Sequence, residues 1–90
     1  MNEKLLEKKL REGVKVKGGI ALKLTSISLT GLPDRLVLLP GGRVKFAELK
    51  STGKKQTRLQ VIVSDKLRAL GFEVWVIDTQ DTLNEFLKTC

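Results

Sequence analysis

Three side chains of this chain have the types and spacing to do chemistry together. Asp34 follows Gly31-Leu32-Pro33, and Arg35 opens a short apolar run. A Pro40-Gly41-Gly42 turn comes next, then Phe46-Ala47-Glu48-Leu49-Lys50. An acid, a reversing turn and a Glu-x-Lys can bring two carboxylates and an amine to one point. Such a cluster suits a divalent cation that promotes cleavage of a phosphodiester.

Strand geometry sets the condition. Side chains alternate faces, so Glu48 and Lys50 share one face and Leu49 points the other way. If residues 40–42 form a three-residue turn, antiparallel partners sum to 82 and Asp34 lies directly opposite Glu48. Opposed Cβ atoms are then roughly 5 Å apart. A two-residue turn would slip the pairing by one and put the acids on opposite faces unless a bulge corrected it. Two carboxylates that close repel unless a cation neutralises them. Mg²⁺ or Mn²⁺ on Asp34 and Glu48 would do so, with the Leu49 backbone carbonyl as a further oxygen ligand. Lys50 could orient the attacking water, assist its deprotonation or stabilise the transition state.

Other residues have both ordinary and functional readings. Glu3 sits near a helix start, where a carboxylate favours the dipole; it is also a candidate third acid near the metal. Glu7 lies one turn further on. Gln60 follows the Glu-x-Lys strand and is either surface filler or a hydrogen-bond donor to the site. Lys23, Lys54, Lys55 and Arg58 are candidate DNA contacts, as is Arg35 beside Asp34. Arg43 and Lys45 add charge around the hairpin. Trp75 and the phenylalanines read as packing.

Composition narrows the alternatives. Ninety residues make one domain, here 1–90, with 17 Lys and Arg against 10 Asp and Glu, a net charge of +7. That balance favours polyanions. There is no histidine, which excludes imidazole catalysis and His-based zinc sites. The single cysteine, Cys90, excludes an internal disulfide and fits a reducing cytosol. No stretch approaches a membrane span and no secretory leader is evident.

The elements that must position the site read as follows. Residues 2 to about 16 form a helix with Leu6, Leu10 and Val14 inward and Asn2 as cap. Strands are expected over 20–25, 35–39, 43–50 and 72–77, with a loop over 26–33. The run at 35–39 reads as a central strand. A basic loop over 51–56 precedes a helix to Leu70, with Leu59, Ile62, Val63, Leu67 and Leu70 on its apolar face and Gly71 ending it. Asp78 or Thr79 starts a last helix carrying Leu83, Phe86 and Leu87. The order αβββαβα implies an α/β domain: a mixed sheet, antiparallel then parallel, flanked by helices.

Along nearly its whole length the chain resembles the VRR-NUC family (virus-type replication-repair nucleases), a branch of the PD-(D/E)xK superfamily. The resemblance runs through Glu3, Gly18-Gly19, Lys23, Gly31-x-Pro33-Asp34-Arg35, Pro40-Gly41-Gly42, Phe46-x-Glu48-Leu49-Lys50, Gln60 and Leu70-Gly71. Leu32 stands where the family often carries Val. The resemblance implies a restriction-endonuclease-like core similar to Holliday junction resolvases, and a metal-dependent DNA endonuclease of stand-alone phage type. It implies Asp34 and Glu48 as metal ligands, Lys50 as the catalytic lysine, and Glu3 and Gln60 as supporting residues. It further implies a homodimer acting on branched DNA in the cytoplasm of a bacterial host. A monomeric flap or nicking nuclease and a non-catalytic basic binding module are the competing expectations.

Overall fold

The computed structural model describes residues 1–25 and 29–90. Positions 26–28 of the loop expected over 26–33 lie outside the described residues. The elements are α1 (Glu3–Val16), β1 (Ile20–Lys23), β2 (Arg35–Leu39), β3 (Arg43–Leu49), α2 (Arg58–Ala69), β4 (Glu73–Ile77) and α3 (Gln80–Thr89). That is the expected order, with β1 shorter by two residues at its C-terminal end.

Local chemistry fixes each helix boundary. The Asn2 side chain accepts the Leu5 amide at 2.8 Å and starts α1. Thr57 and Gln60 form a reciprocal capping box at the start of α2, and Thr79 and Thr82 do so for α3. After α2, Gly71 takes φ +97°, a left-handed conformation that only glycine adopts without strain.

The sheet order is β1-β2-β3-β4, antiparallel through β3 and parallel between β3 and β4. The β2–β3 turn is a short 3-10 segment over Pro40–Gly42, with Gly41 and Gly42 both at positive φ. It sets the register Arg35↔Ala47 through Leu39↔Arg43. These pairs sum to 82, the three-residue alternative.

One face of the sheet carries the core. Leu6, Leu10 and Val14 of α1 and Leu83 and Phe86 of α3 pack on Ala21, Val37, Leu39, Ala47, Leu49 and Ile77. Trp75 meets Phe86 edge-on at 5.5 Å, a packing role as expected.

The other face is only partly covered. The side of α2 that packs inward presents Val63 and Ser64. Leu59 and Ile62 are each 43% exposed and Leu70 is 74% exposed, so the expected apolar face of α2 is largely open. Central strand β2 buries alternate residues only, rather than both faces. Ile20 and Leu22 are exposed on that side, and Leu36, Leu38, Val44 and Phe46 are half-buried. The periodicity of α2 is real, but the helix sits towards β4, and among the described residues no helix packs over the β1–β2 half of this face. No helix among the described residues is long and apolar enough to cross a membrane.

Candidate active site

The register brings the two acids together. Asp34 immediately precedes β2, and extension of the ladder by one pair sets it opposite Glu48. Its Oδ2 accepts the Leu49 amide at 2.9 Å, so the carboxylate itself closes the end of the hairpin. On the far side, the Lys50 amide donates to the Ile77 carbonyl at 3.0 Å and ties the Glu-x-Lys segment to β4.

Glu48 is 1% exposed and held from two directions. Lys50 Nζ lies 3.4 Å from its Oε2. Gln60 Nε2 donates to the same oxygen at 2.8 Å. Gln60 Oε1 meanwhile accepts the Thr57 amide at 2.8 Å, so one side chain caps α2 and orients Glu48. The other Glu48 oxygen, Oε1, is buried with no hydrogen-bond partner among the described residues. A buried carboxylate oxygen left unpaired is costly. Burial, with the negative charge of Asp34 adding to it, raises the Glu48 carboxyl from 4.5 to about 7, and Lys50 opposes that rise.

These residues fit a small hard cation. Mg²⁺ keeps several waters and is commonly bound by one or two carboxylates. Asp34 and Glu48 supply two, with the Leu49 carbonyl between Glu48 and Lys50 in the chain. Among the described residues no group of three or more acidic, His or Cys side chains could hold a metal. A site here therefore rests on two carboxylates, backbone and solvent.

The remaining candidates divide. Glu3 and Lys23 line a cavity of about 110 Å³ with Glu7, Asp34, Arg35 and Leu49, which places both beside Asp34, while Glu48, Lys50 and Gln60 do not line it. Lys54, Lys55 and Arg58 are exposed on the loop after β3 and at the start of α2. Arg35 is not a surface cation. It is 6% exposed, pairs with Glu7 Oε1 at 2.5 Å and donates to the Ala21 carbonyl at 3.2 Å. Strand alternation explains this: Arg35 points to the same face as Val37 and Leu39, under α1. Its partner Glu7 was legible only as a neighbour of Glu3.

Arg43 and Lys45 also leave the site. Arg43 donates to the carbonyls of Thr89 and Cys90, at 3.1 and 2.8 Å. Lys45 donates to Thr89 Oγ1 at 2.8 Å. Both place positive charge at the C-terminal end of α3, where a helix dipole favours it.

A mixed α/β sheet with helices on it and an acid pair joined to a Glu-x-Lys across its central hairpin define the restriction-endonuclease-like nuclease fold. The comparisons narrow that class. A solved structure described as "VRR_NUC domain" matches with a TM-score of 0.89 and 28% identity, over 96% of this chain and 94% of that one. "Putative nuclease p44" of Acyrthosiphon pisum secondary endosymbiont phage 1 is 44% identical over 81 residues, 90% of this chain and 87% of the relative. No family profile matches the chain. The chain belongs to the VRR-NUC family of nucleases.

Proposed function

We propose that residues 1–90 form a single nuclease domain, a divalent-metal-dependent endonuclease that cuts branched DNA and prefers four-way junctions. The observation that carries the reading is Glu48: buried beside Asp34, fixed by Gln60 and Lys50, with one oxygen unpaired. A purely structural carboxylate would have that oxygen satisfied.

In this reading Asp34, Glu48 and the Leu49 carbonyl hold Mg²⁺ or Mn²⁺. When bound, the ion neutralises the scissile phosphate and acidifies a water. Lys50 stands where it can hold negative charge developing on the phosphate or orient the attacking water. Gln60 keeps Glu48 in one rotamer. Glu3 borders the cavity beside Asp34 and orders solvent there. Lys23, Lys54, Lys55 and Arg58 grip the backbone on either side. Reading by shape fits a site with no element aimed at base edges. The +7 charge supports a polyanionic substrate. A phage- or prophage-encoded enzyme working in the bacterial cytoplasm fits the phage relative.

Homodimerisation is supported by the open half of the sheet. Ile20, Leu22, Leu36, Leu38, Val44 and Phe46 form an apolar face, bordered by Phe72, which meets Phe46 edge-on at 5.6 Å. Leu59 lies against Gly31 in the β1–β2 connection, and Ile62 and Leu70 follow it along the same side of α2. A twofold pair burying this face would carry two sites to a four-armed substrate.

The deciding experiment offers a labelled four-way junction, a 5′ flap and a linear duplex with Mg²⁺, Mn²⁺ or chelator. Paired, metal-dependent cuts in the junction are expected, abolished by Asp34→Ala. Preferential flap cutting by a monomer would replace the junction reading. Binding without cutting of any substrate would make the chain a non-catalytic module.

A further inference from the structure

We infer that the outward ridge of α1 is a second, extended contact for the DNA backbone, leading away from the active site. The inference rests on the reading of DNA as substrate and adds residues that the site itself does not use.

Lys4, Lys8, Arg11 and Lys15 are spaced four, three and four apart. At about 100° per residue they fall within an arc of roughly 60° on the helix. All four are exposed, on the side of α1 away from buried Leu6, Leu10 and Val14. The row extends about 16 Å at a rise of about 1.5 Å per residue. Among the described residues the only ion pair on it is Lys8 with Glu12 at 4.0 Å, both about two-thirds exposed. Such a pair contributes little.

The row works against the helix that carries it. Like charges four apart, as in Lys4–Lys8 and Arg11–Lys15, repel one another and weaken a helix. Lys4 also sits near the positive end of the helix dipole. A polyanion along the ridge removes both penalties.

Placement relative to the site gives the ridge its role. Glu3 and Glu7, on the adjoining side of the same helix, line the cavity with Asp34. The Thr52 amide donates to the Met1 carbonyl at 3.1 Å, so the start of α1 adjoins the loop carrying Lys54 and Lys55. At the other end, Arg11 and Lys15 border a groove of about 320 Å³ beside Gly19, Ile20 and Ala21 of the β1 edge. The cations thus run from the basic loop, past the site, along α1. DNA rises about 3.4 Å per nucleotide of a strand, so the ridge spans four or five nucleotides of one duplex arm.

The test compares two variants of equal charge in an Asp34→Ala background, which holds substrate uncut. One carries Lys8→Gln, Arg11→Gln and Lys15→Gln. The other carries Lys17→Gln, Lys66→Gln and Lys88→Gln, away from the ridge. Junction binding is measured by fluorescence anisotropy from 50 to 200 mM salt, with circular dichroism as the folding control. Each lost phosphate contact lowers the salt slope by about 0.9. The ridge variant should lose about two to three units of slope and at least tenfold affinity, and the remote variant under one unit. Equal slopes in the two variants would overturn the ridge. Failure of the nuclease reading shows separately, as no cutting by the wild-type chain even where the slope difference is present.

Discussion

At the scale of residues, Glu48 carries a prediction of unusual sign. Burial and Asp34 raise its carboxyl to about 7 from 4.5. The folded state therefore prefers it protonated. In metal-free protein its contribution to stability is fully present below pH 4.5 and is lost as the pH rises through about 7. Urea unfolding in chelator should show stability falling across that window, and Glu48→Gln should flatten the fall while abolishing cutting. Parallel curves for the two proteins would remove the buried, destabilised carboxylate from the account. Gln60→Ala should have two effects, because it both caps α2 and holds Glu48 Oε2. Loss of the cap costs about 1 kcal/mol in urea unfolding, and turnover should fall at unchanged DNA affinity. Unchanged turnover would reduce Gln60 to a cap. The acid pair was legible in the sequence on one condition, a three-residue turn at Pro40-Gly41-Gly42, and the register of β2 with β3 meets it. The orientation of Gln60 was not, because which wall of the site α2 faces depends on packing between elements.

At the scale of elements, the Arg35–Glu7 pair pins α1 to the start of β2 and to the β1 edge. Removing one partner of a buried pair leaves the other uncompensated and costs roughly 3–5 kcal/mol. Glu7→Leu, which leaves the buried Arg35 guanidinium without its partner, should destabilise by that order in urea unfolding, and Arg35→Met in the same chain should recover most of it. Independent, additive losses would show that the two side chains act separately. The pair also keeps Glu7 from serving as a free acid at the cavity, which leaves Glu3 as the α1 carboxylate available there. Element order and most boundaries followed from caps, glycines and periodicity. The reading of Arg35 as a DNA contact fails on burial, because the side chain lies under α1 and pairs with Glu7. Its alternation with Val37 and Leu39 already placed it inward. The inward face of α2 failed for a different reason. Periodicity marks an apolar stripe, but what covers the stripe is decided by where the helix sits on the sheet.

At the scale of the whole molecule, those uncovered residues have a consequence. A small domain has little apolar surface to spare, yet here Leu22 is 40% and Ile62 43% exposed on one side of the sheet. A standard interface takes roughly 800 Å² from each partner, and among the described residues the half-sheet with the flank of α2 gathers exposed apolar side chains on one side of the molecule. Twofold packing of this surface on itself would leave the α1 ridges free, since α1 lies on the opposite face of the sheet. Leu22→Asp combined with Ile62→Asp should therefore convert a dimer into a monomer by light scattering. Both side chains are already half in solvent, so the folded monomer should survive. Single-strand nicking of a junction should persist while paired cuts disappear, because Asp34, Glu48, Lys50 and Gln60 of each site come from one chain. If the double variant stays dimeric, the dimer uses another surface. If the wild-type chain is itself monomeric at micromolar concentration and still makes paired cuts, the two incisions are made by successive encounters, and this half-sheet is not what couples them.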